Sequence, residues 1–161
     1  GVESMTRAPF VVGKAETAFA KSFPSFESSL GARFPNPKIE NEFGADTMPE
    51  TADNLAREFQ LSREEVDSFA AGSQSRYAAA KADGFYDEEL ITITVPGGRK
   101  NPDVEVSEDE HPRPGTNLET LSGMRTLFAD GVTTAGNASG INDGAAAVIV
   151  ASLEKGEQAG A

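Results

Sequence analysis

At 161 residues, 38% hydrophobic and 25% charged, the chain has the length of one domain and a composition that excludes a disordered polymer. The 14 basic residues against 26 acidic give a net charge of −12, which excludes a surface built to neutralise nucleic-acid phosphates or anionic lipid. With no cysteine, the chain holds no disulfide framework, no thiolate zinc site and no sulfur nucleophile. No stretch approaches the ~20 apolar residues of a membrane span, and no basic leader precedes an apolar segment. The expectation is a soluble, cytoplasmic protein. Opening on Gly1, it is expected to be a piece of something longer, with ends that are not domain boundaries.

Residues 1 to 46 show little sustained period. Phe10, Phe19, Phe23, Phe26, Phe34 and Phe43 are scattered among Gly, Pro and Ser, which predicts a meandering, aromatic-anchored region. One or two helical turns are expected over Lys14 to Lys21, with Pro24, Pro35 and Pro37 barring any continuing helix. From Thr51, taken as an N-cap, Leu55, Ala56 and Phe59 fall at helical spacing. Ser62-Arg63-Glu64-Glu65 fits a capping box. Val66, Phe69, Ala70, Ser73, Tyr77 and Ala80 then form one stripe of a helix that ends near Gly84, a natural C′ residue.

Alternation of Ile91, Ile93 and Val95 with Thr92 and Thr94 predicts a strand with one buried face, ended by Pro96-Gly97-Gly98. Val104 and Val106 suit a second strand, paired with the first as a hairpin, before the solvated acidic run Glu108-Asp109-Glu110. Thr116-Asn117-Leu118-Glu119 is a further capping-box match, opening a short helix through Leu121, Met124 and Phe128. The apolar run 145 to 151 suits a strand covered on both faces, a central strand of a layered sheet whose neighbours come from elsewhere. Ser152 is a candidate cap for a last helix.

The densest cluster of special residues is the loop GVTTAGNASGINDG at 131 to 144. Its glycines allow close backbone approach to a ligand and its short polar side chains can bond local backbone or bound groups, yet from composition alone a buried turn is the favoured reading. It is not a dinucleotide fingerprint, because it precedes a strand instead of joining a strand to a helix. His111, the single histidine, is assigned no role, and no Ser/His/Asp arrangement is available. Arg113, stiffly presented between two prolines, can meet a phosphate through its paired donors or sit in a surface pair with nearby acids. Glu64, Glu65 and Asp67 occupy a helix start, where negative charge suits the dipole, so a structural role outweighs paired-carboxylate chemistry.

Five strings occur in order: GVESMTRAP at 1 to 9, ETADNLAREFQLSREEVDSFAAGSQSR at 50 to 76, GFYDEEL at 84 to 90, HPRPGTNLETL at 111 to 121 and TAGNASGINDGAAA at 134 to 147. Together they resemble consecutive motifs of the thiolases, coenzyme A-dependent acyltransferases. DTMPETADN, with Thr47 where acetoacetyl-type thiolases commonly carry histidine, and SMTRAPFVVGKAETAF lean toward thiolases of β-ketoadipyl-CoA breakdown.

The resemblance implies an α/β thiolase-like fold, of which this chain holds part of the N-terminal half with its inserted loop domain. Residues 1–130 would be the loop domain and flanking segment, and 131–161 the returning glycine-rich loop and core strand. It implies no permanently bound cofactor and no metal, but coenzyme A or acyl-CoA as substrate. By motif position Arg113 would approach the adenine-nucleotide end, with Thr120 where the family has a contacting serine. Phe128, Ala135, Ser139 and Ile141 would line the pantetheine path, and Met48 would face the acyl end. The implied reaction, 3-ketoacyl-CoA thiolysis or the reverse condensation, uses two cysteines and a histidine. None of these catalytic groups is in this chain, so the expected partners are the remainder of the polypeptide and further copies in a homodimer or homotetramer. The competing reading is a stand-alone, non-catalytic coenzyme A-binding or interaction module.

Overall fold

The computed structural model describes residues 1–31 and 33–160. In chain order the elements are β1 (Val2–Glu3), β2 (Phe10–Val12), β3 (Ser25–Glu27), α1 (Pro37–Phe43), α2 (Met48–Glu58), α3 (Arg63–Ala82), β4 (Ile93–Val95), β5 (Val104–Val106), α4 (Leu118–Ser122), β6 (Gly144–Ala145) and α5 (Leu153–Ala159). They fall into two compact units, Gly1–Ala45 with Ile141–Ala161, and Asp46–Gly140.

In the first unit β1 pairs antiparallel with β6, and β2 with β3. Asp143 ties the start of the chain to this unit: its Oδ1 accepts from the Thr6 N–H at 2.9 Å and its Oδ2 from the Thr6 hydroxyl at 2.8 Å. The expected turns of helix over 14–21 do not form. Phe19 sits at φ 60°, incompatible with a right-handed helix, and only a single turn closes from Ala20 N–H to the Thr17 carbonyl. Pro37, expected as a barrier, instead opens α1, where its missing N–H costs nothing, and the Asn36 side chain caps the helix by accepting from Lys38 N–H.

The apolar run behaves differently from expectation. Pairing stops at Ala145, with one further bond from Ala146 N–H to the Gly1 carbonyl, and Val148, Ile149 and Val150 are 86%, 98% and 92% exposed. A central strand needs a neighbour on each side, and among the described residues the run meets only the two-residue β1.

The second unit is built on helices. A capping box starts α2 with Thr47 as its cap, four residues earlier than the predicted Thr51. The Thr47 N–H and hydroxyl both donate to Glu50 Oε2 at 2.7 Å, while the hydroxyl of Thr51 donates to the Thr47 carbonyl inside the helix. The box at Ser62 and Glu65 starts α3 as expected, and Gly84, at φ 75°, follows its last turn as predicted. The β4–β5 hairpin forms in the expected antiparallel pairing, Ile93 opposite Val106 and Val95 opposite Val104. Its apolar face is exposed, since nothing among the described residues covers it.

Helix α4 ends at Ser122, short of the expected Phe128. The backbone beyond it is claimed by an antiparallel bridge of Thr126 with Thr134, reinforced by Leu127 N–H to the Thr133 carbonyl at 2.8 Å. Among the described residues the buried apolar side chains are Ala56 and Leu121, joined by the buried polar Asp53, Asp67, Thr133 and Thr134.

Candidate functional site

That buried polar set holds the glycine-rich segment in place. Asp53, on α2, is 3% exposed, and its Oδ1 accepts three hydrogen bonds: from Val132 N–H at 3.0 Å, Thr133 N–H at 2.9 Å and the Thr133 hydroxyl at 2.7 Å. Burial opposes ionisation of this carboxyl, but the bonds from Thr133 and Val132, with the nearby charge of Arg57, outweigh it and hold the group below its ordinary value. Its Oδ2 is buried and, among the described residues, lacks a partner. Gly131 makes this approach feasible, since a Cβ there would stand 2.8 Å from the Asp53 Cγ.

A second carboxylate grips the same segment from α3. Asp67, 1% exposed, accepts from Arg63 Nε at 2.7 Å and from Asn137 Nδ2 at 2.9 Å. Asn137 also donates to the Val132 carbonyl at 2.9 Å and accepts from Thr134 N–H at 2.7 Å, closing the turn internally. Arg63 reaches the other way: its Nη2 donates to the carbonyls of Leu121 at 2.5 Å and Met124 at 3.1 Å, at the C-terminal end of α4. The Leu121 carbonyl already accepts from Met124 N–H at 2.9 Å, so the guanidinium adds a further bond there and supplies one to the Met124 carbonyl just past the helix end.

Acid sensitivity follows. A carboxyl whose folded-state value is depressed contributes stability above its unfolded value, here 3.8, and loses it as pH falls through the lower folded value. Glu50 and Glu65 are lowered too, by hydrogen bonds from Thr47 and Ser62 respectively, and share this direction. The expected result is an unfolding midpoint that falls below about pH 4 more steeply in the parent chain than in Asp53→Asn. Denaturant titrations across that range check it, and parallel pH profiles would contradict it.

The predicted site residues are distributed as follows. Arg113 is exposed, its N–H donates to Gln74 Oε1 at 2.9 Å, and among the described residues no carboxylate pairs with its guanidinium. Thr120 is exposed on α4, but its hydroxyl is engaged in the capping box, donating to the Asn117 carbonyl at 2.9 Å and accepting from Asn117 N–H at 3.1 Å. Phe128 and Ala135 each lie just beyond the Thr126–Thr134 bridge, and both are exposed. Ser139 is exposed on the clamped segment, and Met48 is exposed at the first position of α2. Ile141, also exposed, belongs to the other unit. Among the described residues no group of carboxylates and histidine is arranged to hold a metal, and no helix is long and apolar enough to cross a membrane.

Sequence reasoning gave Asp67 the structural role it has, placed Arg63 and Asn137 in their motifs without partners, and missed Asp53. Asp67 was legible only as a charge near the start of α3, where negative charge suits the dipole; for Asp53 there was no signal beyond the helix itself.

Comparison with known proteins adds four findings. The family model described as the thiolase N-terminal domain matches residues 1–154. Among curated relatives, the 3-oxoadipyl-CoA/3-oxo-5,6-dehydrosuberyl-CoA thiolase of Escherichia coli K12 is 51% identical over 153 residues, covering 94% of this chain and 38% of the relative. The beta-ketoadipyl-CoA thiolase of Acinetobacter baylyi is 50% identical over 155 residues, covering 96% and 38%. The crystal structure of human mitochondrial 3-ketoacyl-CoA thiolase in complex with CoA superposes with a TM-score of 0.75 at 34% identity, over 99% of this chain and 38% of that one. The chain thus spans well under half the length of the relatives it matches.

Proposed function

Because the chain belongs to the thiolase family, we propose that it supplies the coenzyme A-binding portion of an enzyme moving an acyl group between a cysteine thioester and coenzyme A. The substrate class we propose is a 3-ketoacyl-CoA of the β-ketoadipyl type, in keeping with the relatives' names. In that reaction a cysteine sulfur attacks the 3-keto carbonyl, the bond between C2 and C3 breaks to release acetyl-CoA, and the thiol of coenzyme A takes the acyl group from the sulfur. This chain contains no cysteine, so the sulfur chemistry belongs to residues outside it. Assembly of the whole enzyme as a homodimer or homotetramer is part of the proposal, as is the division into a loop domain with its flank through residue 130 and a returning loop and core strand after it.

The observation that carries the reading is the glycine-rich segment itself. Its backbone is fixed from behind by Asp53 and Asp67, while Ala135 and Ser139 remain open to a ligand. Arg113, without a carboxylate partner among the described residues, offers a guanidinium to the nucleotide phosphates, and Ser139 a hydroxyl to the pantetheine amides. Thr120 retains a lone pair for the nucleotide end after its capping bonds, Phe128 and Ala135 offer apolar surface to the pantetheine, and Met48 is proposed for the acyl end. The stand-alone module is disfavoured by the bare side chains of Val148, Ile149 and Val150, which a self-sufficient domain would cover.

Calorimetric titration with coenzyme A tests this. Arg113→Ala is expected to weaken binding roughly tenfold or more, the loss of a charge-assisted bond worth about 1.5–3 kcal/mol, and Ser139→Ala by about fivefold. Measured on the whole enzyme, equal affinities in all three proteins would sink the reading, while saturable uptake by the isolated chain would favour the stand-alone module.

A further inference from the structure

Two segments proposed to bind coenzyme A, α4 with Thr120 and the glycine-rich turn with Ala135 and Ser139, share no direct side-chain hydrogen bond among the described residues. Leu121 and Met124 pack against Gly136, and what joins the two segments by side-chain hydrogen bonds is a relay on α3. The guanidinium of Arg63 holds the carbonyls of Leu121 and Met124 with Nη2 and the carboxylate of Asp67 with Nε, and that carboxylate holds the side-chain amide of Asn137. Asn137 in turn fixes the Thr134 N–H and the Val132 carbonyl.

From this geometry we infer that Arg63, Asp67 and Asn137 are positioning residues: they set the spacing of α4 from the glycine-rich turn and thereby the affinity for coenzyme A, without touching it. The inference rests on the coenzyme A reading above. Three features favour positioning over mere adhesion. Every side chain in the relay makes two or more of these bonds at once, so a shift at one end has little slack to absorb it. Asp67 is almost wholly buried, so water cannot replace either of its partners without opening the structure. Arg63 cannot be replaced by lysine at equal function, because one ammonium on a flexible stem does not span a carboxylate and two carbonyls as a planar fork does.

The test uses Arg63→Lys, Asn137→Ala and the double variant, read by amide hydrogen exchange and by calorimetry with coenzyme A. Arg63→Lys is expected to speed exchange at Thr134 N–H, although lysine at 63 makes no contact there. Each single variant is expected to weaken coenzyme A about tenfold, and the double variant no further, because cutting a series connection twice adds nothing. Additive losses, or Thr134 exchange unchanged in Arg63→Lys, would overturn the relay even where the parent binds coenzyme A. Coupled exchange in a whole enzyme whose unsubstituted form takes up no coenzyme A would overturn the ligand reading while leaving the mechanical link.

Discussion

Asp67→Ala is expected to lower the free energy of unfolding by about 2–4 kcal/mol, measured by urea titration at neutral pH. Removing one member of a buried ion pair leaves the other desolvated and uncompensated, and here the amide of Asn137 loses one of its two acceptors as well. The upper end of the usual range is not reached, because the Arg63 side chain keeps 26% of its exposure and water takes over part of its solvation. Asp67→Asn preserves shape and one acceptor, so it should cost less than alanine. A loss below about 0.5 kcal/mol, the size of ordinary surface substitutions, would show that the relay is not held as described.

Gly131→Ala should cost about 2–3 kcal/mol by adding one methyl group. Its Cβ would stand 2.8 Å from the Asp53 Cγ, closer than van der Waals contact permits, and the carboxylate cannot swing away without surrendering its bonds from Val132 and Thr133. The diagnostic is the double variant: with Asp53→Ala in place the methyl has room, so the combination should be no less stable than Asp53→Ala alone. Strictly additive losses would point to strain at residue 131 unrelated to the carboxylate.

Elements specified by local chemistry were legible in the sequence. A capping box reports the start of α3, Ser152 caps α5 by accepting from Lys155 N–H, and alternation around Pro96-Gly97-Gly98 reports the hairpin. The start of α2 was also written locally, as Thr47 followed three residues later by Glu50, but Thr51 is an equally acceptable cap by residue type and only the observed bonds separate them. The extent of α4 was not legible, because the strand-like partner that ends it, Thr134, arrives from beyond a turn. Nor was the clamp. Asp53 and Thr133 are 80 positions apart and Asp67 and Asn137 are 70, and no period or composition links residues at such separations. The candidate ligand residues came from family motifs; what holds them came only from the fold.

The uncovered Val148-Ile149-Val150 stretch has a thermodynamic corollary. Burying three such side chains is worth about 1.5–3 kcal/mol apiece, and in this chain that quantity is unspent. Any surface that covered them would gain that free energy on contact, by the same dehydration that drives a core together.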